Sequence, residues 1–187
     1  MTLIAEEDYV AARDILDELP AGAPGVVNTQ HIPEAFSGPF ARRLDQSSAL
    51  SVSEARDGQP IVPGHAYVAP GNRHLEVIRS GAKYQIRLTD ADPVNRHRPS
   101  VDVMFDSLVR SAGSNAVAAL LTGMGTDGAL GLLALKEAGA HTLAQDEASS
   151  TIYGMPREAA RLGAAGEVLP LSRIAARLLE LSADIGS

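Results

Sequence analysis

The sequence predicts a doubly wound α/β domain with a mostly parallel sheet, helices on both faces and an added antiparallel hairpin. Two observations predict this fold. Short apolar segments alternate along the chain with segments of helical periodicity, as parallel strands and their crossover helices do. The run at residues 116–121 is apolar throughout, which is typical of a strand covered on both faces. With 187 residues, 45% of them hydrophobic, we expect one domain over residues 1–187.

The strands are predicted where short apolar or alternating segments are bounded by glycine, proline or polar residues. In chain order, the predicted sheet strands cover residues 1–5, 25–29, 66–69, 116–121, 141–145 and 167–169. Residues 74–78 and 84–88 alternate between apolar and polar side chains on either side of Ser80 and Gly81. This alternation around a short turn predicts the hairpin.

The helices are predicted from apolar residues three and four positions apart and from residues that begin or end helices. In chain order they cover residues 7–19, a segment that begins at Pro33, residues 100–110, a segment from Thr126 or Asp127 to Gly139, and residues 171–181. The apolar faces of the first two helices are predicted to carry Val10, Ala11, Ile15, Leu19, Phe36, Phe40 and Leu44. Ser100 is expected to cap the third helix.

Composition excludes several classes of function. The absence of cysteine excludes disulfides, a thiol nucleophile and a cysteine-ligated metal, and it agrees with a reducing cytoplasm. The net charge of −7 argues against nucleic acid as the main partner, because binding to phosphate backbones needs a positive surface. The basic residues at 42–43 and 96–98 are interpreted as solvated surface. Because no apolar run could span a bilayer and no signal peptide is visible, we expect a cytoplasmic protein without membrane insertion.

Polar residues at the carboxyl ends of predicted strands mark the candidate site, since ligands of such sheets bind there. His31 follows the second strand and is placed to act as a general base, although a lone histidine is more often structural. Asp127 lies in a turn with three glycines after the most apolar strand. Asp127 is predicted either to cap a helix or to orient the imidazole of a Ser-His-Asp hydrolase site. A metal site would need a third ligand, and no His-x-x-x-His or similar cluster is present.

Six segments together resemble the catalytic domain of CheB-type chemotaxis methylesterases. Each motif is modest alone, but six in order at family-like spacing are highly specific. The resemblance covers the chain from about Leu16 onward. The segments are residues 30–33 (QHIP), 67–74 (YVAPGNRH), 98–105 (RPSVDVMF), 121–129 (LTGMGTDGA), 144–149 (AQDEAS) and 153–159 (YGMPREA).

The resemblance implies a function and roles for individual residues. It implies hydrolysis of glutamate methyl esters and deamidation of glutamines on chemoreceptors, with the cytoplasmic helices of the receptor as partner and without cofactor or metal. It further implies that His31 is the catalytic base, that Asp127 is the acid that orients it, and that Met124 lines the oxyanion site. We therefore expect the side chains of His31 and Asp127 to lie within hydrogen-bond reach.

The first residues of the chain depart from the family pattern. The family's Gly-Ala-Ser-Thr-Gly-Gly turn falls on residues 3–8, so that Ala5 occupies the position of the nucleophilic serine. Glu6 follows it and is expected to line the site, while Glu7 and Asp8 replace the two closing glycines. Their negative charge would oppose a developing oxyanion. Family members commonly carry a receiver domain ahead of this domain, and none is expected within residues 1–187.

The substitution leaves more than one function open. The chain is either a methylesterase, weakened as written or active with a true start missing from this sequence, or a catalytically impaired homologue that binds a receptor or a signalling partner. A sensor that reuses the cleft for a small ligand is a weaker alternative. Ser37, Ser149 and Thr126 are conceivable replacement nucleophiles, although surface or capping roles suit each of them better. We expect weak or absent esterase activity for the sequence as it stands.

Overall fold

The computed structural model describes residues 2–6 and 9–185, with the side chains of residues 9–185. The strands are β1 (Thr2–Glu6), β2 (Val26–Gln30), β3 (Ser51–Glu54), β4 (His65–Val68), β5 (His74–Ser80), β6 (Lys83–Thr89), β7 (Val117–Leu120), β8 (His141–Gln145) and β9 (Glu167–Leu169). The helices are α1 (Tyr9–Glu18), α2 (Glu34–Asp45), α3 (Val101–Ser111), α4 (Ala129–Glu137), α5 (Met155–Arg161) and α6 (Leu171–Ile185).

One sheet and one hairpin make up the β structure. The sheet has seven strands in the order β3-β4-β2-β1-β7-β8-β9, and every neighbouring pair is parallel. β5 and β6 form the separate antiparallel hairpin. The predicted fold class is therefore confirmed. No helix in the described part of the chain has the length and hydropathy needed to cross a membrane.

Helices cover both faces of the sheet, and each face has its own apolar core. Side chains of α1, α2 and α6 form one core, which includes Ile15, Leu16, Leu44, Ile174 and Leu178. Side chains of α3, α4, α5 and the hairpin form the other, which includes Leu75, Phe105, Leu108, Leu132 and Met155. Because α1 follows β1 onto one face and α4 follows β7 onto the opposite face, these two neighbouring strands form the switch point at which such sheets bind ligands.

Several predicted boundaries and faces differ from the structure. The edge strand β3 and the seven-residue α5 were not predicted, because each is too short to establish a clear period. Val10 and Phe36, predicted on apolar helix faces, are 44% and 60% exposed. Met1 of the predicted first strand lies outside the described residues, as do Glu7 and Asp8 of the predicted first helix.

One buried amide in the central sheet opposes folding. Asn28 of β2 is fully buried beside Val68, on the same face as Val26. Neither its Nδ2 nor its Oδ1 has a hydrogen-bond partner among the described residues. A buried polar group without a partner costs about 1–3 kcal/mol. The amide therefore lowers the stability of a strand that is otherwise well packed.

We predict that Asn28→Val raises the free energy of unfolding by about 1–3 kcal/mol, because it removes two unpaired polar atoms from an apolar core. Urea denaturation of the two proteins measures the difference. Thr142→Val is the matched control in β8. Thr142 Oγ1 donates to the Ala164 carbonyl at 2.7 Å, so its loss should destabilise by a similar amount. Equal destabilisation by both variants would contradict the prediction for Asn28.

Candidate active site

The carboxyl ends of β1, β2 and β7 bring three predicted site positions to one edge of the sheet. Ala5, near the end of β1, is in register with Thr29 of β2 and with Leu120 of β7. His31 follows β2 directly, and the loop at residues 122–128 follows β7. The backbone of Ala5 therefore lies between the segments that supply the candidate base and acid.

The acidic segment after Ala5 is described only in part. Glu6 ends β1 in register with Gln30, so its backbone lies at the same edge of the sheet. Glu7 and Asp8 lie outside the described residues. Their predicted effect on an oxyanion stays a prediction.

His31 and Asp127 form a buried hydrogen-bonded pair. The distance from His31 Nε2 to Asp127 Oδ2 is 2.7 Å, and the two side chains are 6% and 1% exposed. This confirms that the two side chains lie within hydrogen-bond reach. Because a carboxylate only accepts, the bond places the proton of a neutral imidazole on Nε2. The opposite ring nitrogen, Nδ1, is then the one with basic character.

The Asp127 carboxylate collects donors from several directions. Besides His31, it accepts the Asn95 amide at 2.7 Å, the Ser100 hydroxyl at 2.8 Å and the Val101 backbone N–H at 2.7 Å. Burial alone would raise the pKa of this carboxyl. The hydrogen bonds from His31 and Asn95, together with those from Ser100 and Val101, outweigh burial and lower the pKa of Asp127 to about 2. The carboxylate is therefore ionised at neutral pH.

The prediction that Asp127 caps the helix it precedes is wrong. Gly128 takes the cap position of α4 with a φ of 86°, and α4 begins at Ala129. A Cβ at Gly128 would lie 2.5 Å from Val101 Cγ1, so a side chain cannot be accommodated there. The Asp127 carboxylate instead meets the start of α3, where negative charge is favourable. Ser100 lies at the cap position of α3, but its hydroxyl accepts no N–H of that helix and instead donates to Asp127.

A second buried carboxylate, that of Asp102, makes the reciprocal contact from α3 to the start of α4. Asp102 of α3 accepts the Gly131 backbone N–H at 2.8 Å, in the first turn of α4. Asn95 Nδ2 donates both to Asp102 Oδ2 and to Asp127 Oδ1, each at 2.7 Å. Burial raises the pKa of Asp102, and the neighbouring Asp127 carboxylate acts in the same direction. A single amide thus bridges two carboxylates that would otherwise repel each other.

The bridging amide belongs to a tight turn at residues 94–97. Val94 and His97 exchange backbone hydrogen bonds of 3.1 and 2.8 Å, and both central residues have positive φ, 52° for Asn95 and 69° for Arg96. The His97 ring stacks on the His31 ring, with 3.6 Å between centroids and 6° between planes. The turn therefore contacts the acid through Asn95 and the base through His97.

The interpretation of residues 96–98 as solvated surface is wrong for two of the three. His97 stacks on His31, and Arg98 donates to Asn72 Oδ1 at 2.7 Å. Sequence reasoning also missed Asn95 altogether. One signal was present, because asparagine is enriched at positive φ and a tight turn requires such a residue.

An open cavity of about 450 Å³ adjoins Asp127 and the His97 ring that stacks on His31. Its lining residues are Asn95, Arg96, His97, Met124, Gly125, Thr126 and Asp127. Met124, predicted to line the oxyanion site, is 66% exposed at this rim. No group of three or more His, Cys, Asp or Glu side chains among the described residues is arranged to hold a metal ion.

Hydrogen bonds from neighbouring segments hold the loop that carries Met124 in place. Thr122 N–H donates to Gln145 Oε1 at 2.8 Å, and Ile152 N–H donates to Thr122 Oγ1 at 2.8 Å. Gly123 N–H donates to the Ile152 carbonyl at 3.0 Å. A Cβ at Gly154 would lie 2.5 Å from the Gly123 carbonyl oxygen. The segments at residues 144–149 and 153–159 therefore act by supporting the site loop.

Two of the three alternative hydroxyls have structural roles. Ser37 is fully buried, donates to Glu54 Oε1 at 2.6 Å and accepts the Gly71 N–H at 2.9 Å. Ser149 donates to Asp146 Oδ1 at 2.6 Å and accepts the Leu171 N–H, the first residue of α6, at 2.9 Å. Neither lines the cavity.

Thr126 is the exception among these hydroxyls. It lies exposed at the rim of the cavity, next to Asp127 in the chain. No hydrogen bond joins its side chain to His31 in the described structure. A base must hold the proton it takes within about 2.6–3.2 Å, so Thr126 would need to move in order to act as a nucleophile.

The bridging amide leads to a prediction about acid stability. A carboxyl whose pKa is lower in the folded than in the unfolded state stabilises the fold at any pH above its ordinary pKa. This contribution is lost as the pH falls from the ordinary pKa to the pKa in the folded state. For Asp127 the loss spans about pH 4 to 2. We predict that Asn95→Gly lowers stability by about 1–2 kcal/mol at pH 7 and moves the acid limb to higher pH. Glycine tolerates the φ of 52°, so the variant tests the amide alone.

Urea denaturation at several pH values between 2 and 7 measures this effect. Ser47→Ala is the control, because Ser47 Oγ donates to the exposed Asp17 carboxylate at 2.7 Å, far along the chain from the site. It should leave the acid limb in place. An Asn95→Gly protein with an unchanged acid limb would show that the amide does not stabilise the ionised Asp127.

Comparisons with known proteins identify the family of this chain. The family model described as CheB methylesterase matches residues 8–178. A protein-glutamate methylesterase/protein-glutamine glutaminase 2 of Pseudomonas aeruginosa is 62% identical over 177 residues, which cover 95% of this chain and 51% of that protein. A protein-glutamate methylesterase/protein-glutamine glutaminase of Salmonella typhimurium is 53% identical over 169 residues, 90% of this chain and 48% of that protein. The chain spans about half the length of these curated relatives.

A solved structure gives the same result. The crystal structure of the Thermotoga maritima CheB methylesterase catalytic domain matches with a TM-score of 0.93 and 35% sequence identity, over 96% of this chain and 97% of that one. The resemblance inferred from the six motifs is thereby confirmed, and the chain belongs to the CheB methylesterase family.

Proposed function

We propose that this chain carries the site of a protein-glutamate methylesterase, which hydrolyses glutamate methyl esters and deamidates glutamines of a partner protein. The observation that carries the proposal is the 2.7 Å hydrogen bond between His31 and Asp127 beside an open cavity. It joins a base and an acid at the switch point of the sheet. The names of the relatives describe the same two reactions.

In this proposal each residue has a defined role. His31 takes the proton of an attacking hydroxyl on Nδ1, because Nε2 is held by Asp127. Asp127 fixes the tautomer and stabilises the imidazolium that forms. It stays ionised throughout, because hydrogen bonds from four groups outweigh its burial and lower its pKa to about 2. Met124 and the loop around it border the position at which the negative charge develops.

Position 5 determines how much of this chemistry the chain performs. An alanine supplies no hydroxyl, and loss of the serine of a hydrolase triad lowers turnover about a million-fold. An acceleration of roughly a thousandfold over water can persist from binding and charge stabilisation. With Ala5, the proton that His31 accepts would have to come from water. We therefore propose that the chain as written is a weak esterase at most.

A second candidate function follows from the same substitution. Ala5 and Glu6 end the central strand β1, where a hydroxyl would have to stand for catalysis. The chain would then act as a binding module that occupies the glutamate or glutamine side chains of its partner without converting them. By resemblance, the partner is the set of cytoplasmic helices of a chemoreceptor.

We predict that Ala5→Ser restores little activity, whereas a graft of Gly-Ala-Ser-Thr-Gly-Gly onto residues 3–8 restores far more. A nucleophile must lie within about 0.5 Å of its productive position. Glycines at the two closing positions permit the sharp turn that this placement needs, and Glu7 and Asp8 do not. Methanol release from a methylated receptor, measured for the unmodified chain and both variants, tests the prediction.

The same assay separates the candidate functions. Adding His31→Ala to the graft should abolish the recovered rate, which shows that recovery depends on the proposed base. If the unmodified chain turns over at roughly 1 s⁻¹ or faster, the low end of ordinary enzyme rates, another nucleophile is at work and the role assigned to position 5 is wrong. If the graft binds receptor but never hydrolyses it, the binding module is the better description.

A further inference from the structure

We propose that Arg96 is a specificity-determining residue that docks a carboxylate of the partner protein close to the reacting side chain. The proposal rests on the proposed function, because it takes the cavity beside His31 and Asp127 as the substrate site. Arg96 lines that cavity. Of its lining residues within the described part of the chain, Arg96 carries the one permanent positive charge.

The backbone of Arg96 is held in place by the turn at residues 94–97. Backbone hydrogen bonds join its two ends, and the Asn95 amide is anchored to Asp102 and Asp127 at 2.7 Å each. Arg96 itself has a φ of 69°, a conformation that a side chain other than Asn or Asp seldom adopts. A preorganised turn of this kind lowers the ordering cost of binding.

The guanidinium of Arg96 is not used inside the protein. It makes no hydrogen bond or ion pair with any residue of the described ranges, and it is exposed. Two other arginines, Arg98 and Arg73, differ in this respect. Arg98 donates to Asn72 Oδ1 at 2.7 Å, and Arg73 donates to Asp90 Oδ1 at 2.9 Å. The side chains of Arg98 and Arg73 are thus bonded to other residues of the protein, whereas Arg96 lines the cavity.

The charges around the cavity favour an anionic group at Arg96. Asp127, the buried carboxylate that lines the cavity, already accepts hydrogen bonds from His31, Asn95, Ser100 and Val101. The chain as a whole carries −7 and repels acidic partners. A guanidinium at the cavity counteracts this repulsion locally. Its planar fork matches a carboxylate, which it can bind through two parallel hydrogen bonds.

The carboxylate that binds Arg96 must belong to a different side chain of the partner from the one that reacts. A glutamate methyl ester or a glutamine amide is neutral, so the reacting side chain does not itself pair with Arg96. An acidic side chain next to the reacting one in the partner would pair with Arg96. Arg96 would then contribute equally to the bound substrate and the transition state, which affects the dissociation constant or KM and leaves kcat nearly unchanged.

The unmodified chain is suited to a binding test, because Ala5 supplies no hydroxyl and bound ester would persist. The probes are fluorescent 15-residue peptides with one central γ-methyl glutamate. In separate peptides a glutamate stands one, three or four residues to either side, and a glutamine replaces it in the reference peptide. Anisotropy gives Kd for the unmodified chain, Arg96→Gln, Arg96→Lys and the control Arg79→Gln, whose exposed side chain lies at the end of the hairpin.

We expect at least one glutamate peptide to bind the unmodified chain about five- to tenfold more tightly than the reference peptide. Arg96→Gln should remove this preference without changing the Kd of the reference peptide. Arg96→Lys should retain part of it, and Arg79→Gln should retain all of it. In the grafted enzyme, Arg96→Gln should raise KM for the preferred peptide and leave kcat within about twofold.

Other outcomes overturn the proposal in distinguishable ways. If Arg96→Gln weakens glutamate and reference peptides by the same factor, Arg96 supports the site and reads no carboxylate. If Arg96→Gln lowers the kcat of the grafted enzyme instead of raising its KM, Arg96 acts on the developing oxyanion. If glutamate and reference peptides bind the unmodified chain equally, the carboxylate site does not exist. If no peptide binds any protein, the proposed function fails together with this inference.

Discussion

The site depends on two buried carboxylates that cap each other's helices. Asp127, which precedes α4, accepts the first N–H of α3, and Asp102 in α3 accepts an N–H from the first turn of α4. Both helix starts therefore meet negative charge in a dry environment, where the N-terminal dipole is worth most. Asn95 donates to both carboxylates and prevents their mutual repulsion from separating the helices. The orientation of His31 follows from this arrangement, because its Nε2 bonds a carboxylate that Asn95, Ser100 and Val101 hold in place.

The two carboxylates respond to pH in opposite directions. The donors around Asp127 favour its charged form, whereas burial of Asp102 favours its neutral form. Asp127 therefore stabilises the fold above its ordinary pKa. The contribution of Asp102 is present at low pH and is lost as pH rises through its raised pKa. Asp127, whose hydrogen bonds outweigh its burial, lies beside Asp102, for which burial outweighs the hydrogen bonds. Of the two, Asp127 bonds His31. The arrangement thus favours an anion where a base needs its counter-charge.

Sequence reasoning succeeded where a local pattern reports directly on structure. The apolar run that became β7 and the alternating hairpin predicted their elements, and the polar strand ends brought His31 and Asp127 together. It failed where a residue acts on a distant segment. The target of Asp127 is α3, about 26 residues earlier in the chain, and no local spacing encodes such a contact. The exposed Phe36 is a second case, because helical period identifies a face but not what covers it.

The hydrogen bonds described for the Asp127 carboxylate come from segments other than β1. Every hydrogen bond described for the Asp127 carboxylate comes from the turn at residues 94–97, the start of α3 or His31, and none comes from β1. The same contacts join α3 to α4, so they serve the stability of the fold as well as its chemistry. The hydrogen bonds of Asp127 and Asp102 add to the apolar packing between these two helices. The His31–Asp127 pair thus belongs to the contact between α3 and α4 as much as to the cavity beside it.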